Sequence, residues 1–249
     1  MTDAGPGFTR RAFIDLHCHT NASFDSLADP VRVAQVAAAR GLTHLAITDH
    51  DRIDGALRAR DAAPEALTIL IGEEIRTLEG DLIGLFLEDP IPPGLPAVEA
   101  MAAVREQGGL VGIPHPFDRL RASLLRDEAL EVLAAEADWI EVHNARLIGG
   151  AGNEQAAVLA RKLGRPGVAV SDAHTILEIG VASTTLDGDP STPDGLLAAL
   201  AGRTDLLAGR GTYFVRAVTP IAKVIQRLRG NGRVGGSSRV RSGPRPESR

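Results

Sequence analysis

From Phe13 onward one pattern repeats: a short apolar run, a polar loop, then an amphipathic stretch rich in Ala and Leu. The apolar runs predict strands over residues 13–16, 43–48, 67–72, 82–87, 110–113, 138–142 and 167–170. Helices are predicted between several of them, over 30–40, 97–107, 125–136 and 153–163. Asp29-Pro30 reads as an N-cap followed by the first helical residue, and Gly41 and Gly164 stand where helices commonly end. Strands alternating with helices predict βαβ units and a parallel sheet, which closes as a barrel or stays open and doubly wound. Periodicity does not choose between the two. One domain is expected over 13–229, after a loose polar leader at 1–12 and before a disordered Arg-rich tail at 230–249.

Composition sharpens this picture. With 249 residues, 44% apolar but only 3% aromatic, the chain suits helices packed on a buried sheet. A net charge of −5 argues against a general nucleic-acid binder, because phosphate backbones are gripped by Lys and Arg. Seven Arg and one Glu lie from Arg227 to the end, so the remainder is more acidic than the average. A single cysteine excludes an intramolecular disulfide. Without an apolar run of about eighteen residues or a signal-peptide core, a cytoplasmic location with no membrane association is expected.

The chemistry begins at Asp15-Leu16-His17-Cys18-His19. Side chains alternate along a strand, so His17 and His19 share a face while Cys18 points oppositely into the core. Alone, such a pair is a weak motif. Nearly every other expected strand, however, also ends in a group able to hold a metal: His50 in Thr48-Asp49-His50, then Glu73-Glu74, His115, Asn144, and Asp172 with His174. Asp25 lies in the loop after the first strand. The carboxyl ends of parallel strands gather on one face, and five of the seven histidines fall there. His44 is expected at the surface, His143 on the face opposite Asn144, and Asp49 either behind His50 or simply at a strand end. Arg119 and Arg146 follow site-facing motifs and are candidates to clamp a phosphate.

The ordered strings IDLHCHTNASFDSL, GLTHLAITDHD, ILIGEEI, EGDLIGLFL, GIPHPFD, IEVHNAR and VSDAH resemble the PHP (polymerase and histidinol phosphatase) family of metal-dependent phosphoesterases, from about Phe13 to Thr185. The resemblance implies a distorted (β/α)7 barrel, TIM-like, holding two to three divalent ions (Mn, Fe or Zn). It places His17, His19, Glu74 and Asp172 on a first ion, with Glu74 bridging to a second that His115 helps to hold. Asp81 stands at a second-ion position often filled by histidine. Asp25, His50 and His174 would hold a third ion. Within Glu73-Glu74 the family pattern selects Glu74 and turns Glu73 toward solvent, and at His143-Asn144 it selects Asn144.

The implied activity is hydrolysis of a phosphate mono- or diester of a small molecule, nucleotide or short oligonucleotide by a metal-activated hydroxide. His50, Asp172 and His174 are candidates to assist proton transfer; Asn144, Arg119 and Arg146 are candidates for substrate binding. Alternatives are a histidinol-phosphate phosphatase and a catalytically silent PHP module that binds a partner. Only twenty-seven residues separate Leu87 from His115, which leaves no room for the extra domain of exonuclease-like members. An amidohydrolase barrel usually needs a carboxylated Lys, yet no Lys precedes Lys162. Neither a G-x-S-x-G elbow nor a Gly-rich phosphate loop is present.

Overall fold

The computed structural model describes residues 11–118 and 127–232. Along the chain the elements are β1 (Arg11–Asp15), α1 (Pro30–Ala39), β2 (His44–Ile47), α2 (Asp54–Asp61), β3 (Thr68–Arg76) and β4 (Asp81–Leu85). Then follow α3 (Ala97–Glu106), β5 (Leu110–Ile113), α4 (Asp127–Glu136), β6 (Trp139–Asn144), α5 (Ala151–Leu163) and β7 (Gly167–Val170). The last are β8 (Ala182–Asp187), α6 (Pro193–Ala201), β9 (Thr204–Ala208) and α7 (Tyr213–Leu228). Each of the seven expected strands has its counterpart, displaced by a few residues at most ends. α2, β8, β9, α6 and α7 were not anticipated by the hydrophobic pattern.

The local signals at α1 act as read. Pro30 opens the helix and the Asp29 carboxylate caps it, accepting from the Val31 and Arg32 amides at 3.0 and 3.2 Å. Gly41 and Gly164 take φ of +83° and +64°, a backbone state that side chains with a Cβ resist.

The nine strands form one sheet in the order β7-β6-β5-β4-β3-β2-β1-β8-β9. It curls into a nearly closed barrel. Beyond β1 and β7 the chains meet at a parallel bridge between Cys18 and Ala173, where the His19 amide donates to the Ala173 carbonyl at 2.8 Å. At the opposite end β8 pairs antiparallel with β1, and Thr184 bonds across to Ala169 of β7 through its hydroxyl. Ile14, Leu16, Leu70, Ile83, Leu85, Trp139, Val168 and Val170 pack into one buried core. Trp139 finds its space because Gly112, its partner in the β5–β6 register, has no side chain: a Cβ there would lie 2.2 Å from the indole.

The expected all-parallel sheet is corrected at one place within the barrel. β4 runs antiparallel to both β3 and β5, because only residues 77–80 join it to β3 and so short a link makes a hairpin. The reversal has a functional result. Residues at the carboxyl ends of the parallel strands share one face, and on a reversed strand it is the first residue, Asp81, that lies there.

Candidate metal centre

Nine side chains converge at this end. His17 and His19 follow β1, Asp25 lies in the next loop, His50 follows β2, and Glu74 sits near the end of β3. Asp81 opens β4, His115 follows β5, and Asp172 and His174 follow β7. All but His50 are buried, and the His50 side chain is only 9% exposed. His115 and Asp172 both hold positive φ, +27° and +52°, a strain that non-glycine residues accumulate at working sites.

Three groups of these atoms lie close enough to share ions: His17, His19 and Asp172; His50, Glu74 and Asp81; and His19, Asp25, His50 and His174. In the first, Nε2 of His17 and Nε2 of His19 are 2.9 Å apart. Glu74 Oε2 is 3.2 Å from both, and Asp172 Oδ1 is 3.6 and 3.5 Å from them. An ion bound tetrahedrally at about 2.0–2.2 Å keeps its nitrogen and oxygen ligands about 3.3–3.6 Å apart; the two Asp172 distances fall in that range, and the other three are 0.1–0.4 Å shorter. Glu74 stands between groups. Its Oε2 faces His17, His19 and His50 (3.4 Å from His50 Nδ1), while Oε1 faces His115 Nε2 at 3.1 Å. In the third group Asp25 Oδ2 lies 3.4 Å from His50 Nε2 and 3.3 Å from His174 Nε2.

The imidazole tautomers are set from behind. His17 Nδ1 donates to Glu141 Oε1 at 2.6 Å, and His174 Nδ1 donates to the Asp172 carbonyl at 2.9 Å. Each bond leaves Nε2 as the lone pair aimed inward. Burial opposes charge throughout, yet the carboxylates dominate at three rings, His17, His19 and His50; against burial, Asp172 and Glu74 raise His19 through their hydrogen bonds. Despite burial, Asp172, Glu141 and Glu74 hold His17 well above the usual histidine range, and Glu74 and Asp25 push His50 up to about 9. Against the same desolvation, His50 and His17 keep Glu74 well below the carboxylate range, and His174 and His50 do so for Asp25. Burial, then the Arg146 charge, bring His174 down to about 3 and keep that ring neutral. The result is a buried pocket of negative field lined with imidazole lone pairs, suited to divalent cations.

Other expected residues lie elsewhere. Asn144 is buried, and its amide donates to Glu141 Oε2 at 2.9 Å and to Asp172 Oδ2 at 3.0 Å. Its contacts are therefore with Asp172 of the cluster and with Glu141, which stands behind His17. Arg146 makes a fork on Glu178 (2.9 and 3.1 Å) and bonds Thr219 at 2.7 Å. Arg119 lies outside the described residues. Asp49 accepts from the Thr20 amide and hydroxyl, at 2.6 and 2.7 Å, so it holds the loop after β1. His143 turns away from the centre, to the Gly209 carbonyl and Asn153. Cys18 is buried in the core.

Two expectations are corrected. Glu73 points away from the centre but not to solvent: it is buried, its Oε2 accepts from the Ile91 amide at 2.8 Å, and desolvation pushes it up to about 8. His44 is buried rather than at the surface, bonded to Thr43 and Ser191.

Sequence reasoning missed Glu141. It serves His17, the Asn144 amide and the backbone amide of His115 at once, the last at 2.8 Å. It missed Glu178 as well, which accepts from the His174 amide at 3.1 Å.

A nearly closed α/β barrel with histidine–carboxylate clusters at the strand ends defines a barrel of the metal-dependent hydrolase class. Comparison narrows the class. The PHP domain model matches residues 15–107 and the PHP-associated model matches residues 150–204. An uncharacterized protein of Methanocaldococcus jannaschii is 37% identical over 142 residues, covering 53% of this chain and 81% of that protein. A 5′-3′ exoribonuclease of Haemophilus influenzae is 33% identical over 121 residues, 43% of this chain and 44% of that one. Among solved structures, a two-domain Bacteroides vulgatus protein containing a predicted PHP-like metal-dependent phosphoesterase superposes with a TM-score of 0.66 at 19% identity, covering 86% of this chain and 70% of that one. The chain belongs to the PHP family. No described helix is long and apolar enough to cross a membrane.

Proposed function

We propose that the chain hydrolyses phosphate mono- or diesters of a nucleotide, short oligonucleotide or other small molecule, using two to three divalent ions. The observation that carries this reading is the position of Glu74, whose two oxygens face separate sets of imidazoles at 3.1–3.4 Å. A carboxylate so placed can be shared between ions. His17, His19, Glu74 and Asp172 would hold one ion, His115 and Asp81 would join Glu74 on a second, and Asp25, His50 and His174 would hold a third. Such ions supply Lewis acidity toward phosphate oxygens and lower the pKa of water. The residues contribute fixed geometry: Glu141, Asn144 and the Asp172 carbonyl orient the ligand rings and carboxylates before any ion arrives. His50, Asp172 and His174 would assist proton movement at the phosphate only where an ion does not take up their lone pairs, because a committed metal ligand is a poor base. The exoribonuclease relative favours nucleotide ends over histidinol phosphate as substrate.

The test is turnover of p-nitrophenyl phosphate, bis-p-nitrophenyl phosphate and 5′-phosphorylated short RNA by protein loaded with manganese, iron or zinc. Hydrolysis that a chelator stops and His17→Ala reduces by about a thousandfold or more supports the reading. A loaded chain inert toward every ester, with His17→Ala indistinguishable from it, would leave the partner-binding module.

A further inference from the structure

α7 lies beyond both regions matched by the family models, which end at residue 204. Along it Thr219, Lys223 and Gln226 fall at i, i+4 and i+7, on one face. Each reaches a different member of the third group, Gln226 and Lys223 through one intermediary residue and Thr219 through two.

Gln226 reaches Asp25. Its side chain is buried, and Nε2 donates to the carbonyls of Asn21, Ser23 and Ser26 at 2.8, 3.1 and 2.7 Å. Just past the helix, Asn231 Nδ2 donates to the Ala22 carbonyl at 2.9 Å, and Arg52 bonds both that carbonyl and Asn231 Oδ1 at 3.0 Å. These carbonyls belong to the loop that carries Asp25, and within it the Ser23 hydroxyl donates to Asp25 Oδ1 at 2.7 Å. Lys223 reaches His50: its ammonium stands 5.2 Å over the Phe24 ring, and that ring lies 4.9 Å from the His50 ring. Thr219 reaches His174. Its hydroxyl accepts from Arg146, Arg146 grips Glu178, and Glu178 accepts from the His174 amide.

A helix that merely covered the barrel end would turn its apolar stripe inward. α7 divides its apolar residues instead: Val215 and Ala222 are buried on the same face as Gln226, while Ile221, Val224 and Leu228 stay at 58%, 60% and 83% exposure. Burying Gln226 is favourable only because backbone carbonyls receive its amide. From this arrangement we infer that α7 is the positioning element of the third ion, setting Asp25, His50 and His174 together. The inference rests on the metal reading proposed above.

The test measures manganese per chain, and the affinity of each class of ion by calorimetric titration, in full-length Gln226→Ala, Lys223→Gln and Thr219→Val. In the variants one class of ion loses about tenfold or more in affinity, so that one ion per chain is lost on gel filtration, and excess manganese restores it. The other classes stay within about twofold of the original protein. Where Gln226→Ala fails to fold, judged by circular dichroism of the metal-free protein, the other two variants decide. Variants that keep every ion at unchanged affinity overturn the role of α7 alone, as does a parallel weakening of all classes. An original protein that takes up no manganese, zinc or iron overturns the metal reading itself.

Discussion

Glu141 accepts a hydrogen bond from Nδ1 of His17 at 2.6 Å, with both side chains buried at the barrel end. This single contact decides which nitrogen of His17 is the lone pair, and it holds the ring toward His19 and Asp172. Carboxylates placed behind ligand histidines typically change metal affinity by about 10- to 100-fold. Glu141→Gln keeps the volume and weakens the acceptor, so a loss in that range is expected for the ion that His17 would hold, read by competition with a chelating dye. Equal affinity in variant and original would remove Glu141 from the centre's design.

Ions and protons compete for the same lone pairs. Glu74 and Asp25 outweigh burial and push His50 up to about 9, so below that pH its ring is increasingly protonated. Metal affinity is therefore expected to fall steadily from pH 9 to pH 6, with protons released on binding. Calorimetry in two buffers of different ionisation enthalpy counts those protons. Affinity that does not change across this range would contradict the field described here.

Glu73 carries a stability cost that depends on pH. Desolvation raises its folded-state value from 4.5 to about 8. Between those values the folded chain holds a proton that the unfolded chain has released, so this group's contribution is complete below about 4.5 and is lost as pH climbs through 8. Glu73→Gln removes the titration while keeping an acceptor for the Ile91 amide. Its advantage over the original should grow from about 1 kcal/mol at pH 5 to something on the order of 5 kcal/mol at pH 9, measured by urea unfolding. A constant difference at both pH values would refute this.

Gly112 makes room for Trp139. A Cβ at position 112 would meet three indole atoms at 2.2–2.4 Å, in a core that cannot shift cheaply. Gly112→Ala is expected to destabilise by about 1–3 kcal/mol or more, because overpacking forces the ring off its rotamer. Chemical denaturation checks this, and a midpoint equal to the original's would show that the ring has an alternative site.

Much of the candidate metal centre was legible in the chain because its histidines and carboxylates stand at the ends of apolar runs, a purely local signal. Glu141 was not, and β6 shows why. Alternation alone puts Glu141 and His143 on one face and Asn144 on the other. The register shifts between Glu141 and His143, breaking that parity, so Glu141 and Asn144 both turn inward while His143 turns out. No count of residues along the strand reveals a bulge, because it arises where two strands pair.

The sequence by itself determined where strands stop, which residues cap the helices, and the order in which histidines and carboxylates meet the barrel's open end. These follow from side-chain size, charge and period within a few neighbouring residues. Only the tertiary structure decided the rest: that β4 reverses, that Glu141 stands behind His17, and that α7 folds back onto the loop of Asp25. Each of those depends on contacts between residues far apart in sequence; Gln226 and Ser26 are 200 positions apart. Burial and hydrogen bonding select such contacts only once the sheet has closed.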